Sequence, residues 1–148
     1  MTAHRFSASA LIPAPPQELY AIIVDYQHGH PQILPRPPFV SLAVEHGGRG
    51  AGTVIRVEMR VLGRLQTFRA VVSEPEPGRV LVETNDNGYV TTFTVEPRAG
   101  GEEACVTIAT EMTGRAGVLG SLERWFVTRL MRPVYVKELG QLAAVAAR

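Results

Sequence analysis

The sequence predicts an α+β fold in which a curved antiparallel sheet wraps around one long C-terminal helix. Three observations predict it. From residue 39 to residue 113 apolar side chains recur with a period of two, the alternation of half-buried strands. After Gly114 they recur at helical spacing to about residue 147. Ahead of both lie one strand and one short helix, set apart by prolines.

Residues 6–12 alternate loosely, with Phe6, Ala8, Ala10 and Ile12 on one face. Pro13, Pro15 and Pro16 stop that strand, and proline suits the first turn of the helix that follows, where its missing N–H would be unpaired anyway. That helix, over about residues 15–25, carries Leu19, Ile22, Ile23 and Tyr26 as one stripe. Pro31, Pro35, Pro37 and Pro38 forbid a long helix next, so residues 27–38 are expected to be irregular, with room for one short turn.

Six further strands are expected at 39–45, 53–62, 65–74, 80–85, 89–96 and 104–113. In the second of these Ile55, Val57, Met59 and Val61 face one way, and in the third Phe68, Ala70 and Val72 do. Asn87 and Gly88 offer the two positive-φ positions of a type I′ hairpin. The terminal helix shows one stripe through Leu119, Leu122, Phe126 and Leu130. A second runs through Tyr135, Leu139, Leu142 and Ala146, about one residue out of phase. Pro133 stands between them, where a kink or bulge would reconcile the two.

Composition bounds the function. The 148 residues are 45% hydrophobic, 7% aromatic and 20% charged, with a formal net charge of +1. That length suits a single domain over residues 1–148. Near-zero charge argues against a nucleic-acid partner, and the apolar fraction argues against disorder. No apolar run approaches the ~18 residues of a membrane-spanning helix. Met1, Thr2, Ala3, His4 and Arg5 lead into no signal-peptide core. The expectation is a cytoplasmic protein with no stable membrane insertion. The lone Cys105 rules out an internal disulfide and a cysteine zinc cluster, so neither metal nor cofactor is expected. With few aromatic residues, small side chains dominate the sheet face and leave room for a ligand cavity beneath the helix. Neutral charge points to an uncharged ligand, or to one needing only Arg129.

The order of elements resembles the START-like helix-grip superfamily (SRPBCC), and within it the bacterial polyketide cyclase/dehydrase-like group. The similarity is carried by the stretch from Ile12 to Tyr20 with Val24, Asp25 and Tyr26, and by His30 to Pro35. Gly50, Ala51, Gly52 and Thr53, then Glu74 to Arg79, complete it. The segment after Tyr26 is also similar to the quinone-binding branch. The resemblance implies a seven-stranded antiparallel sheet gripping a C-terminal helix around an apolar cavity. It does not imply one activity, because members bind lipids, hormones, quinones or polyketides and a minority catalyse.

Candidate chemistry is sparse. His28 and His30, two residues apart, can act as acid and base near a pocket mouth, but a metal would lack further ligands. Asp25 reads as a local backbone partner. The glycines at 47, 48, 50 and 52 lead into a strand and lack a phosphate-loop pattern. Cys105 has no nearby base, and Ser121 lacks the G-x-S-x-G context. Tyr89, Thr91 and Thr110 offer hydroxyls to an apolar pocket, and Tyr89 could donate a proton to an enolising carbonyl. The expected lining is Ile55, Val57, Met59, Phe68, Ala70, Tyr89, Thr91, Phe93, Thr110, Leu122, Trp125, Phe126 and Arg129. Tyr89, His28 and Arg129 are the catalytic candidates. Glu58 and Glu83 are read as facing away from the apolar side, so no carboxylate pair is expected.

Three functions fit this reading. The first is binding of an apolar or aromatic small molecule, lipid- or polyketide-like, by a monomer or homodimer. The second is a polyketide aromatase/cyclase or dehydratase using the same cavity. The third is a stress-related or chaperone-cofactor module, which would show an exposed apolar patch instead of a void.

Overall fold

Prolines and glycines cut the chain where the alternation breaks, and an element fills each interval. The computed structural model describes the backbone of residues 3–113 and 117–148 and the side chains of residues 4–112 and 120–148. Met1, Thr2, Gly114 and the side chain of Leu119, all used above, lie outside the described residues. The elements are β1 (Ala3–Ile12), α1 (Pro16–Val24), α2 (Gly29–Ile33), β2 (Phe39–His46), β3 (Val54–Val61), β4 (Arg64–Glu76), β5 (Val80–Asn85), β6 (Tyr89–Arg98), β7 (Glu103–Thr113) and α3 (Gly117–Ala146).

The seven strands form one antiparallel sheet in the order β1-β7-β6-β5-β4-β3-β2. Strands β2 to β7 are a meander with each strand beside its predecessor. Helices α1 and α2 carry the chain from one sheet edge to the other. Register shifts at Phe39/Ser41 and Val44/His46, and again at Ser73/Glu76, bend the strands, so the sheet curls. On its concave side Ile55, Val57, Ala70, Val72, Val95, Val106 and Ile108 are all buried. Leu19 and Ile23 of α1 are fully buried against this core. Each such side chain contributes roughly 1.5–3 kcal/mol.

Residues 29–33 form a short helix, filling the one short turn for which the segment 27–38 left room, so two short helices follow the first strand. Its first residue must be glycine, because a Cβ on Gly29 would lie 2.6 Å from the Ile22 carbonyl oxygen. Two expectations need correction. First, Asn87 does not take a positive φ. Gly88 alone does in that hairpin, and its N–H bonds to the Asn85 carbonyl at 3.3 Å. The two successive positive φ values belong to Leu62 (52°) and Gly63 (78°), which join β3 to β4 as a type I′ turn.

Second, α3 has one buried stripe, not two out of phase. Gly120, Arg124, Val127, Met131, Tyr135, Glu138 and Leu142 follow one another at three- or four-residue steps across Pro133, all buried or half-buried. Leu122 and Phe126, expected on that stripe, are 57% and 42% exposed. Their apolar character mimicked a core face; their angular position is outward.

Candidate functional site

Between the concave face and α3 the small side chains leave a cavity of about 340 Å³. Its walls are apolar: Ile55, Val57 and Met59 of β3, Phe93 of β6, and Val127, Leu130 and Met131 of α3. Its polar groups gather in one region, built by four elements that the sequence holds far apart.

Tyr26 follows α1 and is fully buried; its hydroxyl donates to Glu83 Oε2 at 2.5 Å. His30 sits on α2, which packs close to α1 because Gly29 permits it. The His30 ring stacks on Tyr26 with centroids 4.4 Å apart and meets Phe93 edge-on at 5.4 Å. Its Nδ1 lies 2.7 Å from the Ile23 carbonyl oxygen. A carbonyl only accepts, so Nδ1 carries a hydrogen and Nε2 is turned toward Glu83 Oε2, 3.6 Å away. An ion pair forms there only with a protonated ring. Glu83 itself shares the inward face of β5 with Leu81 and Asn85, and Asn85 Oδ1 is buried with no hydrogen-bond partner.

Glu138 comes from α3, is 2% exposed, and makes no hydrogen bond among the described residues. Burial, reinforced by the nearby charge of Glu83, holds its carboxyl well above the usual carboxylate range. Tyr26 is likewise pushed up by burial and by Glu83. A second buried chain closes this region: Tyr135 Oη lies 2.5 Å from Thr110 Oγ1, which lies 2.9 Å from Thr91 Oγ1. Burial raises the Tyr135 phenol, and its ring stacks on Phe6 at 5.7 Å. The arrangement can seat the polar end of a ligand whose body fills the apolar part. It also brings the side chains of Glu83 and Glu138 together, with burial holding the Glu138 carboxyl above the usual carboxylate range.

The polyketide cyclase / dehydrase and lipid transport family matches residues 3–147. The chain belongs to that family. No curated protein sequence matches the chain. Among solved structures, the KanY protein superposes with a TM-score of 0.85 at 29% identity, with 100% of each chain covered. A protein from Thermus thermophilus gives 0.77 at 24% identity, covering 97% of each chain. The Zhui aromatase/cyclase from Streptomyces sp. R1128 gives 0.78 at 15% identity, covering 99% of this chain and 95% of that one. The helix-grip architecture is therefore shared well beyond recognisable sequence similarity.

Within this family member the expected lining divides. Ile55, Val57, Met59, Phe68, Tyr89, Thr91 and Phe93 stand on the cavity wall. Burial raises the Tyr89 phenol, helped by Glu123. Ala70 and Thr110 are each 1% exposed and packed outside the lining, Thr110 one hydrogen bond from it through Thr91. Leu122, Trp125, Phe126 and Arg129 lie outside the lining, on exposed faces of α3. Arg129 rests over the Trp125 ring at 5.6 Å and does not face the cavity. The His28 side chain is 81% exposed and 3.8 Å from Asp25. Asp25 Oδ1 accepts from the backbone N–H groups of Gln27 and His28, the local role expected of it.

The polar groups missed by the sequence reading are Glu83, Glu138 and Tyr26 as a hydrogen-bond donor; of the two histidines it considered, His30 faces the cavity and His28 does not. Glu83 points inward, opposite to expectation, because Leu81 rather than Val82 marks the core face of β5. A signal for Glu138 existed. Tyr135, Glu138, Leu139 and Leu142 stand at i, i+3, i+4 and i+7, so a carboxyl occupies one position of an apolar stripe. Among the described residues no group of three His, Cys, Asp or Glu side chains is placed to hold a metal ion. No helix among them is long and apolar enough to cross a membrane.

Proposed function

We propose that the protein binds an apolar or aromatic small molecule, lipid- or polyketide-like, with its body in the cavity and its polar end against Glu83, Glu138 and Thr91. The observation that carries this reading is the cavity itself. About 340 Å³ falls within the span typical of small-ligand sites, and apolar walls with a few converging polar groups are the usual design. Family membership supports it, since the family's description joins polyketide chemistry to lipid transport. In this reading the chain is a single-domain cytoplasmic carrier with no nucleic-acid partner, acting alone or as a homodimer.

The test is to fill the cavity. Val57 is 4% exposed and lines it, so Val57→Trp puts an indole where the ligand body belongs. Uptake of the neutral dye Nile red should fall at least tenfold while the circular-dichroism spectrum is kept. Undiminished uptake by a folded Val57→Trp protein would place dye binding elsewhere and count against the cavity.

A second reading, an aromatase/cyclase or dehydratase, draws on one observation: Glu138, its carboxyl held above the usual range by burial, lies close enough to Glu83 to feel its charge. A neutral carboxyl can hydrogen-bond a carbonyl while a carboxylate accepts a proton from the adjacent carbon. Co-expression with a polyketide synthase decides it. Identical products with the wild type and with Glu83→Gln and Glu138→Gln would set catalysis aside. The surface-interaction reading anticipated an exposed apolar patch instead of a void; Leu122, Trp125 and Phe126 are exposed on α3, but the cavity is at odds with it.

A further inference from the structure

We propose that the ligand of this cavity ends in a protonated amine, which sits between Glu83 and Glu138. The inference rests on the reading that the cavity binds a small molecule, and it adds the chemical class of the polar end.

The balance of charge in the polar region points this way. Several of its donors are engaged within the protein: the Tyr26 hydroxyl on Glu83, His30 Nδ1 on the Ile23 carbonyl, and the hydroxyls of Tyr135, Thr110 and Thr91 through two bonds among themselves. Two acidic or carbonyl groups there have no such partner. Glu138 is 2% exposed without a partner, and Asn85 Oδ1 is buried without one. Both line the cavity with Glu83, and among the described lining residues there is no Lys or Arg. A buried acceptor left unpaired costs free energy that a donor from the ligand recovers. An ammonium group brings three donors and a positive charge to two carboxylates. An alcohol brings one donor and no charge. A carboxylate or phosphate brings only acceptors and meets like charge.

Binding of this kind is coupled to a proton. The groups facing Glu138 are Glu83 on β5, Tyr26 and Tyr135; His30 on α2 faces Glu83. In the empty cavity the Glu138 carboxyl keeps its proton. When an ammonium enters, that O–H bond breaks, the proton passes to solvent buffer, and the carboxylate left behind pairs with the unchanged ammonium. Affinity for the amine should therefore rise with pH until the amine itself loses its proton.

Three matched naphthalene probes test this with the full-length protein at pH 7: 2-(1-naphthyl)ethylamine, 2-(1-naphthyl)ethanol and 1-naphthylacetate. The amine should bind at least tenfold more tightly than the alcohol, and the acetate most weakly. Glu138→Gln should reduce amine affinity at least tenfold and alcohol affinity less than threefold. Calorimetry in phosphate and in MOPS should give different heats for the wild type, reporting the released proton, and equal heats for Glu138→Gln. If Glu138→Gln fails to fold, Glu83→Gln should erase the same preference. An amine bound no better than the alcohol overturns the proposal, as does a preference that survives both substitutions. Nile red separates the two levels. Dye uptake without amine preference removes only this inference, whereas no uptake of dye or of any probe removes the cavity reading as well.

Discussion

Replacing Glu138 with Gln should make the protein less sensitive to rising pH. In the folded protein this carboxyl is pushed well above its ordinary value by burial and by Glu83; in the unfolded chain it returns near 4.5. The folded state therefore binds the proton more tightly than the unfolded state. The contribution of such a group is fully present below about pH 4.5 and is lost as pH rises through the folded value. Within that window each pH unit costs up to about 1.4 kcal/mol. For a chain of this length that is roughly 4 °C in Tm per pH unit. Gln preserves the shape of the side chain and cannot ionise. Thermal unfolding followed by circular dichroism at pH 5, 6, 7 and 8 supplies the test. The Tm of Glu138→Gln minus that of the wild type should grow steadily with pH. A difference that stays flat from pH 5 to 8 would show that Glu138 ionises as it does in water, and the description of a neutral buried acid would be wrong.

Two further substitutions test how the fold builds the site. Leu62 is 70% exposed and holds φ 52° at the β3–β4 turn, so Leu62→Asn should relieve left-handed strain. A gain of about 1 kcal/mol, or roughly 3 °C in Tm, is expected with dye uptake unchanged; no gain would mean the turn is not type I′ in solution. Gly29→Ala drives a Cβ into the Ile22 carbonyl, with a contact of 2.6 Å, and should cost about 1–3 kcal/mol. It also displaces His30 from Glu83, so ligand affinity should fall too, and a neutral outcome in both would refute the tight α1–α2 packing.

The sheet was legible because half-buried strands announce their inner face. Ile55, Val57 and Met59 alternate with Arg56, Glu58 and Arg60, and that contrast left little ambiguity. β5 offered a misleading contrast. Val80, Val82 and Thr84 are more strand-like than Glu83 and Asn85, so alternation put Glu83 on the outer face; burial of Leu81 in the core shows that its set faces inward. On α3 the opposite trap applied. Leu122, Trp125 and Phe126 look like a core stripe but point outward, whereas the buried stripe passes through Arg124 and Glu138, residues that composition assigns to the surface. His28 and His30 could not be told apart by spacing. Only the approach of Gly29 to Ile22 turns α2 so that His30 faces in. Functional groups that break the apolar pattern are hidden from a reading based on that pattern.

Whether the space beneath α3 holds a small molecule is tested most directly by native mass spectrometry of the protein purified from its own host. A single adduct of small-molecule mass, released on denaturation and absent from Val57→Trp, is the predicted result. Bare protein from the host, with no mass or thermal shift from any member of a panel of lipids, polyketides and hydrophobic amines, would contradict it.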